Sequence, residues 1–95
     1  MQIIVRARLA APPIAIQRLA GVLRGLMLRP GWSFDTTPTT VLLLAPGPTL
    51  SPDQQGYAGE VVQRVAEAKE IVRAACDGRD DIRPAYFAVD PANRL

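Results

Sequence analysis

The chain has 95 residues, of which 48% are hydrophobic and 21% are charged, and its formal net charge is +2 at pH 7. This length suits a single hydrophobic core, so we expect residues 1–95 to form one domain. The net charge is too small to indicate a nucleic-acid-binding protein by itself. The chain has no histidine and a lone cysteine, Cys76, which excludes a His-based catalytic site, a CxxC metal site and an intrachain disulfide.

The N-terminal segment lacks the uninterrupted apolar stretch of a signal peptide, because Arg6, Arg8 and the Pro12-Pro13 pair interrupt it. Every apolar run is far shorter than the ~20 residues that a transmembrane helix needs. We therefore expect a cytoplasmic protein without membrane attachment. No motif in the sequence calls for a cofactor or a metal ion, so none is expected.

The opening residues, MQIIVRARL, alternate in polarity and predict a β-strand over residues 2–9. In a strand, successive side chains point to opposite faces of the sheet. One face would then hold Ile3, Val5, Ala7 and Leu9, and the other Ile4, Arg6 and Arg8. An apolar face beside one that carries two arginines predicts one buried and one accessible sheet face.

The next segment predicts a helix over residues 13–29, because apolar side chains recur there at helical spacing. Arg29-Pro30-Gly31 would end this helix. Residues 32–36 (WSFDT) alternate and predict a short strand. Residues 39–45 (TTVLLLA) predict a strand that is apolar on both faces, as expected of a central strand.

The second half begins with residues 51–54 (SPDQ), which combine a capping serine, a proline at the first helical position and a glutamine that closes a capping box. We therefore predict a helix that begins at Ser51, ends near Cys76 and is capped by Gly78. The predicted apolar stripe of this helix includes Val62. Residues 85–90 (AYFAVD), between Pro84 and Pro91, predict the last strand.

The resulting order, β-α-β-β-α-β, resembles the ferredoxin-like plait, in which two helices cover one face of a four-stranded antiparallel sheet. That resemblance implies the strand order 4-1-3-2, with the second and fourth strands at the edges. If the weak strand over residues 32–36 does not form, the alternative is a small sandwich with three parallel strands, β-α-β-α-β.

In a plait, the sheet face away from the helices is open. Strand alternation places Ile4, Arg6 and Arg8 there. The third strand adds either Leu42 and Leu44 or Val41 and Leu43, according to its register. The fourth strand adds Tyr86 or Phe87, and the second adds Trp32 and Phe34, or Asp35. The candidate binding residues are Ile4, Arg6, Arg8, Leu42, Leu44 and Tyr86.

A surface that mixes arginine, leucine and an aromatic residue is typical of protein interfaces. We therefore predict a non-catalytic binding domain that forms a homo-oligomer or binds a protein partner through this face. The alternative is a nucleic-acid or other anionic-ligand site, with Arg6 and Arg8 at phosphates and Tyr86 stacked on a base. An enzyme that uses carboxylates and arginines is a third hypothesis, which requires two acids with perturbed pKa values in one pocket.

Overall fold

The computed structural model describes residues 2–26, 29–79 and 81–89 and shows an α+β fold. Two helices pack against an open antiparallel sheet. The elements are β1 (Gln2–Ala10), α1 (Pro13–Leu26), β2 (Ser33–Thr36), β3 (Thr40–Pro46), α2 (Tyr57–Cys76) and β4 (Arg83–Val89).

The described strands lie in the order β2-β3-β1-β4, and each neighbouring pair is antiparallel. The parallel alternative is therefore wrong. Residues 33–36 do form a strand, because hydrogen bonds stabilise the hairpin turn that joins this strand to β3. The Thr37 N–H donates to the Thr40 carbonyl at 2.9 Å, and the Thr40 N–H donates to the Thr37 hydroxyl at 3.1 Å. These bonds hold β2 against β3 in an antiparallel pair.

The core lies between the helices and one face of the sheet, and strand alternation selects its residues. In β1 and β3 the odd-numbered side chains are buried, whereas the even-numbered ones are exposed or half-buried from residue 4 onward. The helices supply the other side of the core with buried residues from both α1 and α2. The core residues of the two central strands are Ile3, Val5, Ala7, Leu9, Val41, Leu43 and Ala45.

The first helix does not include Arg29, the last residue that its apolar pattern predicted. It runs from Pro13 to Leu26, residues 27 and 28 lie outside the described residues, and Arg29 is not helical. A turn over residues 29–32 follows. Gly31 has a φ of 84°, a left-handed conformation that returns the chain toward β2, and a Cβ there would lie 3.1 Å from Cγ of Pro46.

The predicted start of the second helix at Ser51 is wrong, although its capping chemistry is present. The Gln54 side chain accepts hydrogen bonds from the Ser51 N–H at 2.7 Å and from the Ser51 hydroxyl at 3.0 Å. These bonds close a single turn. Gly56 then adopts a φ of 94°, which a helix cannot continue through, so α2 begins at Tyr57. The predicted capping motif therefore forms an isolated turn and does not begin the long helix.

Two further details of the second half differ from the predictions. Val62 is 67% exposed and does not belong to the apolar stripe of α2, in which the buried residues are Ala68, Ile71, Val72 and Ala75. Strand β4 begins at Arg83, two residues before the predicted start. Pro84 is accommodated because the pairing of β4 with β1 shifts register at this point, between Arg8 and Leu9. Asp90, the predicted last residue of the strand, lies outside the described residues.

Candidate functional site

All six candidate binding residues lie on the sheet face opposite the helices, which we call the outer face. The strand register establishes this, because residues that pair directly across an antiparallel sheet point to the same side. Ile4 pairs with Leu44, Arg6 with Leu42, and Arg8 with both Thr40 and Tyr86. The register of β3 that sequence alone left open is therefore the one that turns Leu42 and Leu44 outward.

The middle of the outer face is apolar. Ile4, Leu42 and Leu44 are neighbours on the two central strands, and we call them the apolar band. All three are half-buried, in contrast to Leu43 and Val41, which are fully buried on the opposite face. Covering a contiguous group of half-buried aliphatic side chains removes apolar surface from water, which is favourable in free energy.

One side of the outer face is basic, and sequence reasoning missed one of its members. Arg6 and Arg8 are exposed on β1, and Arg83 is exposed on β4, where it pairs with Ala10. The sequence pattern predicts this strand only from residue 85, after Pro84, so Arg83 was not among the candidate binding residues. We call Arg6, Arg8 and Arg83 the basic strip.

Tyr86 completes this side of the outer face. It is 49% exposed and lies directly across from Arg8. A tyrosine that exposes its ring beside a guanidinium provides an apolar surface and a hydroxyl at the same place. Within the described part of the chain, Arg8 and Arg83 form no ion pair.

Among the described strand residues, the acid on the outer face is Asp35, at the opposite edge of the sheet. It pairs with Leu42 across β2 and β3. Its Oδ1 accepts a hydrogen bond of 2.8 Å from the Thr36 N–H. Because the neighbouring Thr37 N–H bonds to β3, the Thr36 N–H points away from that strand, toward the edge. Asp35 therefore binds a backbone N–H that the edge strand would otherwise offer to another strand. A charged side chain at this edge disfavours pairing with a further strand.

Most of the aromatic side chains are turned away from the outer face. Trp32 and Phe34 pack against the core, so the alternative in which β2 exposes both of them is wrong and Asp35 takes the outer position. Phe87 also packs against the core, and its ring lies 5.7 Å from Nζ of Lys69 on α2. Of the described aromatic residues on the strands, Tyr86 is the one that the outer face presents.

Two of the clefts formed by described residues lie between a helix and an edge strand of the sheet. One, of about 410 Å³, lies between α1 and β2 and is lined by Arg24, Trp32 and Asp35 among others. The other, of about 370 Å³, lies between α2 and β4 and is mainly apolar, with Val62, Lys69 and Val89 among its lining residues.

Two described residues do have shifted pKa values, and both shifts have structural causes. The pKa of Glu60 is lowered because its carboxylate accepts hydrogen bonds from the Thr49 hydroxyl at 2.6 Å and the Thr49 N–H at 2.8 Å. The pKa of Cys76 is raised by burial. The pair of perturbed acids that the enzyme hypothesis requires is not found among the described residues.

The described residues hold no group of three or more His, Cys, Asp or Glu side chains placed to bind a metal ion. Their helices are all too short or too polar to cross a membrane. Comparison with known proteins found no matching family model, no matching curated protein and no matching solved structure.

Proposed function

We propose that this protein is a non-catalytic binding domain that associates with protein through its outer face, either with a second copy or with a separate partner. The observation that carries the proposal is the register of β1 against β3 and β4. It places the apolar band beside the basic strip and Tyr86 on the face that the helices do not cover. Interface cores are enriched in aromatic residues and arginine and depleted in lysine, and this face has that composition.

We further propose that the fold is the ferredoxin-like plait. The order of the described strands, β2-β3-β1-β4, is the plait order 4-1-3-2 read from the other edge, and the element order is the expected one. Burial of the odd-numbered residues of β1 and β3 beneath both helices also supports a two-layer arrangement.

The alternative function is binding of nucleic acid or another anionic ligand through Arg6, Arg8 and Tyr86. The exposed guanidiniums favour it, since arginine binds phosphate well. The aromatic residues count against it. Single-stranded nucleic acid is held by stacking of successive bases on aromatic rings, and Trp32, Phe34 and Phe87 pack against the core instead.

Site-specific photo-cross-linking tests the proposed function. A photoreactive amino acid replaces Leu44, at the centre of the outer face, and in a matched control it replaces Val62, which is exposed on α2. Each full-length variant is expressed in the cells that naturally produce the protein and is irradiated there. Adducts are then identified by mass spectrometry.

Protein adducts that form at position 44 and not at position 62 are the expected result, whether the cross-linked protein is the same chain or another one. Adducts to nucleic acid at position 44 contradict the proposal and favour the alternative. Equal yields of adducts at the two positions contradict any special role of the outer face.

A further inference from the structure

We infer that the cleft between α1 and β2 binds a free α-amino acid with an apolar side chain. This inference goes beyond the proposed function, because it concerns a small molecule at the edge of the sheet and not a protein on the outer face. It follows from two opposite charges that line the cleft, from the backbone of β2 and from the apolar surface beside them.

The cleft runs along the edge of β2 that faces away from β3. It is lined by all four residues of β2 and by Trp32 on one side, and by Ala20 and Arg24 of α1 on the other. Phe34 packs against the core whereas Asp35 lies on the outer face, so side chains from both faces of the strand border the cleft. The cleft volume of about 410 Å³ lies in the range of small-molecule sites, roughly 300–1,000 Å³.

The two sides of the cleft carry opposite charges. Arg24 is exposed on α1, and Asp35 is exposed on β2. Within the described part of the chain neither residue forms an ion pair, and Asp35 uses one carboxylate oxygen to accept the Thr36 N–H. A zwitterion complements both charges, because its carboxylate binds the Arg24 guanidinium and its ammonium group donates to the second oxygen of Asp35.

The backbone of β2 determines the length of the ligand. Strand alternation gives the N–H and carbonyl of Phe34 the same direction as the Thr36 N–H, away from β3 and toward the cleft. The Thr36 N–H is already bonded to Asp35. Phe34 is therefore the residue of β2 that offers both a donor and an acceptor to a ligand. One such residue suits a single amino acid, whose carboxylate accepts the Phe34 N–H and whose ammonium group donates to the Phe34 carbonyl.

The rest of the lining determines the side chain of the ligand. Ala20 and Trp32 are half-buried and offer apolar surface, which an apolar ligand side chain removes from water. Among the described residues that line the cleft, the charged ones are Arg24 and Asp35. The main-chain charges of the amino acid occupy both of them, so a charged ligand side chain has no complement among these residues.

Trp32 provides a direct signal for the test, because it lines the cleft and is the one tryptophan of the chain. L-leucine, L-valine and L-phenylalanine are titrated separately into the full-length protein. Binding is followed by Trp32 fluorescence and by the amide signals of β2 in a nitrogen–proton NMR spectrum. The amino acid that binds most tightly is then compared with its N-acetyl derivative, which lacks the ammonium group, and with its amide, which lacks the carboxylate.

Two variants each remove one charge from the cleft, and a third is the matched control. Arg24→Gln removes the guanidinium. Asp35→Asn removes the negative charge and keeps an oxygen that accepts the Thr36 N–H. The control is Arg18→Gln, which removes an exposed arginine of α1 that does not line the cleft. Circular dichroism confirms that all three variants are folded.

We expect at least one of the three amino acids to bind the wild type and Arg18→Gln saturably. Each derivative, and each of the other two variants, should raise the Kd about tenfold or more, because each change removes hydrogen bonds to a charged group. The inference is overturned if none of the three amino acids binds, if the derivatives bind as well as the free amino acid, or if either cleft variant leaves the Kd unchanged. Photo-cross-linking from position 44 does not depend on this cleft, so the failure of one proposal is distinguishable from the failure of the other.

Discussion

Arg8 and Tyr86 lie directly opposite each other on β1 and β4, on the sheet face that the helices leave uncovered. Leu9, the next residue of β1, is buried beneath the helices. The register shift between Arg8 and Leu9 allows β4 to pass Pro84 and still present Arg83 on the same side as Arg8. A local irregularity in an edge strand therefore adds a third arginine to the basic strip.

Substitutions at Leu43 and Leu44 provide a direct check of the strand register. Leu43 is fully buried, so Leu43→Ala leaves a cavity and should lower the free energy of unfolding by about 2–5 kcal/mol. Leu44 is half-buried on the outer face, so Leu44→Ala should cost less than half as much. Urea unfolding followed by circular dichroism measures both values. A larger loss at Leu44 than at Leu43 would contradict the register.

Gly56 and Gly59 should respond oppositely to alanine. Gly56 has a φ of 94°, and a Cβ there would lie 3.1 Å from Cδ1 of Leu50, so Gly56→Ala should destabilise the protein by about 1–2 kcal/mol. Gly59 lies within α2, and a Cβ there meets nothing within 4 Å. Gly59→Ala should therefore stabilise by about 0.5–1 kcal/mol. Thermal unfolding of the two variants shows the sign of each change in stability. Stabilisation by Gly56→Ala would mean that Gly56 does not adopt the left-handed conformation.

Glu60 should make the stability depend on pH in a predictable direction. Hydrogen bonds from Thr49 lower its pKa from the usual 4.5, so the folded protein favours the carboxylate more than the unfolded chain does. This contribution is present above pH 4.5 and is lost as the pH falls through the lowered folded-state pKa. Glu60→Gln removes it.

Chemical denaturation of wild type and Glu60→Gln across acidic pH measures that difference. The wild type should be the more stable protein near neutral pH, and the gap between the two should narrow in acid. A gap that stays constant or widens as the pH falls would show that Thr49 does not hold the Glu60 carboxylate.

Cys76 should react slowly with thiol reagents in the folded protein. It is partly buried at the end of α2, and burial raises its pKa, so little of the reactive thiolate is present at neutral pH. The rate at which iodoacetamide alkylates Cys76 should be lower in the folded protein than in the same chain unfolded in urea. A faster rate in the folded state would reveal an activated thiol.

The sequence allowed the outer face to be predicted in large part, because strand alternation is a local property. Ile4, Arg6 and Arg8 follow directly from the period of two in β1. The two possible registers of TTVLLLA are equally apolar, so Leu42 and Leu44 needed the pairing with β1 to be assigned. The inward position of Trp32 and Phe34 also depends on tertiary contacts, since a short alternating strand does not reveal which of its faces meets the helix.

The remaining errors arose where a single residue, Gly56 or Pro84, has a different effect from the one that the sequence pattern predicted. A good capping motif at Ser51 predicted a helix start, but the left-handed Gly56 ends that turn before α2 begins. Pro84 was taken as a strand boundary, whereas an edge strand with a register shift tolerates it. Both errors concern the first residue of an element, and the second error kept Arg83 out of the candidate binding residues.

Photo-cross-linking from position 44, compared with position 62, tests most directly whether the outer face binds protein. The account predicts protein adducts at position 44 that are absent at position 62, because the apolar band lies on the face that the helices leave uncovered. Equal yields of adducts at the two positions, or adducts to nucleic acid at position 44, would contradict it.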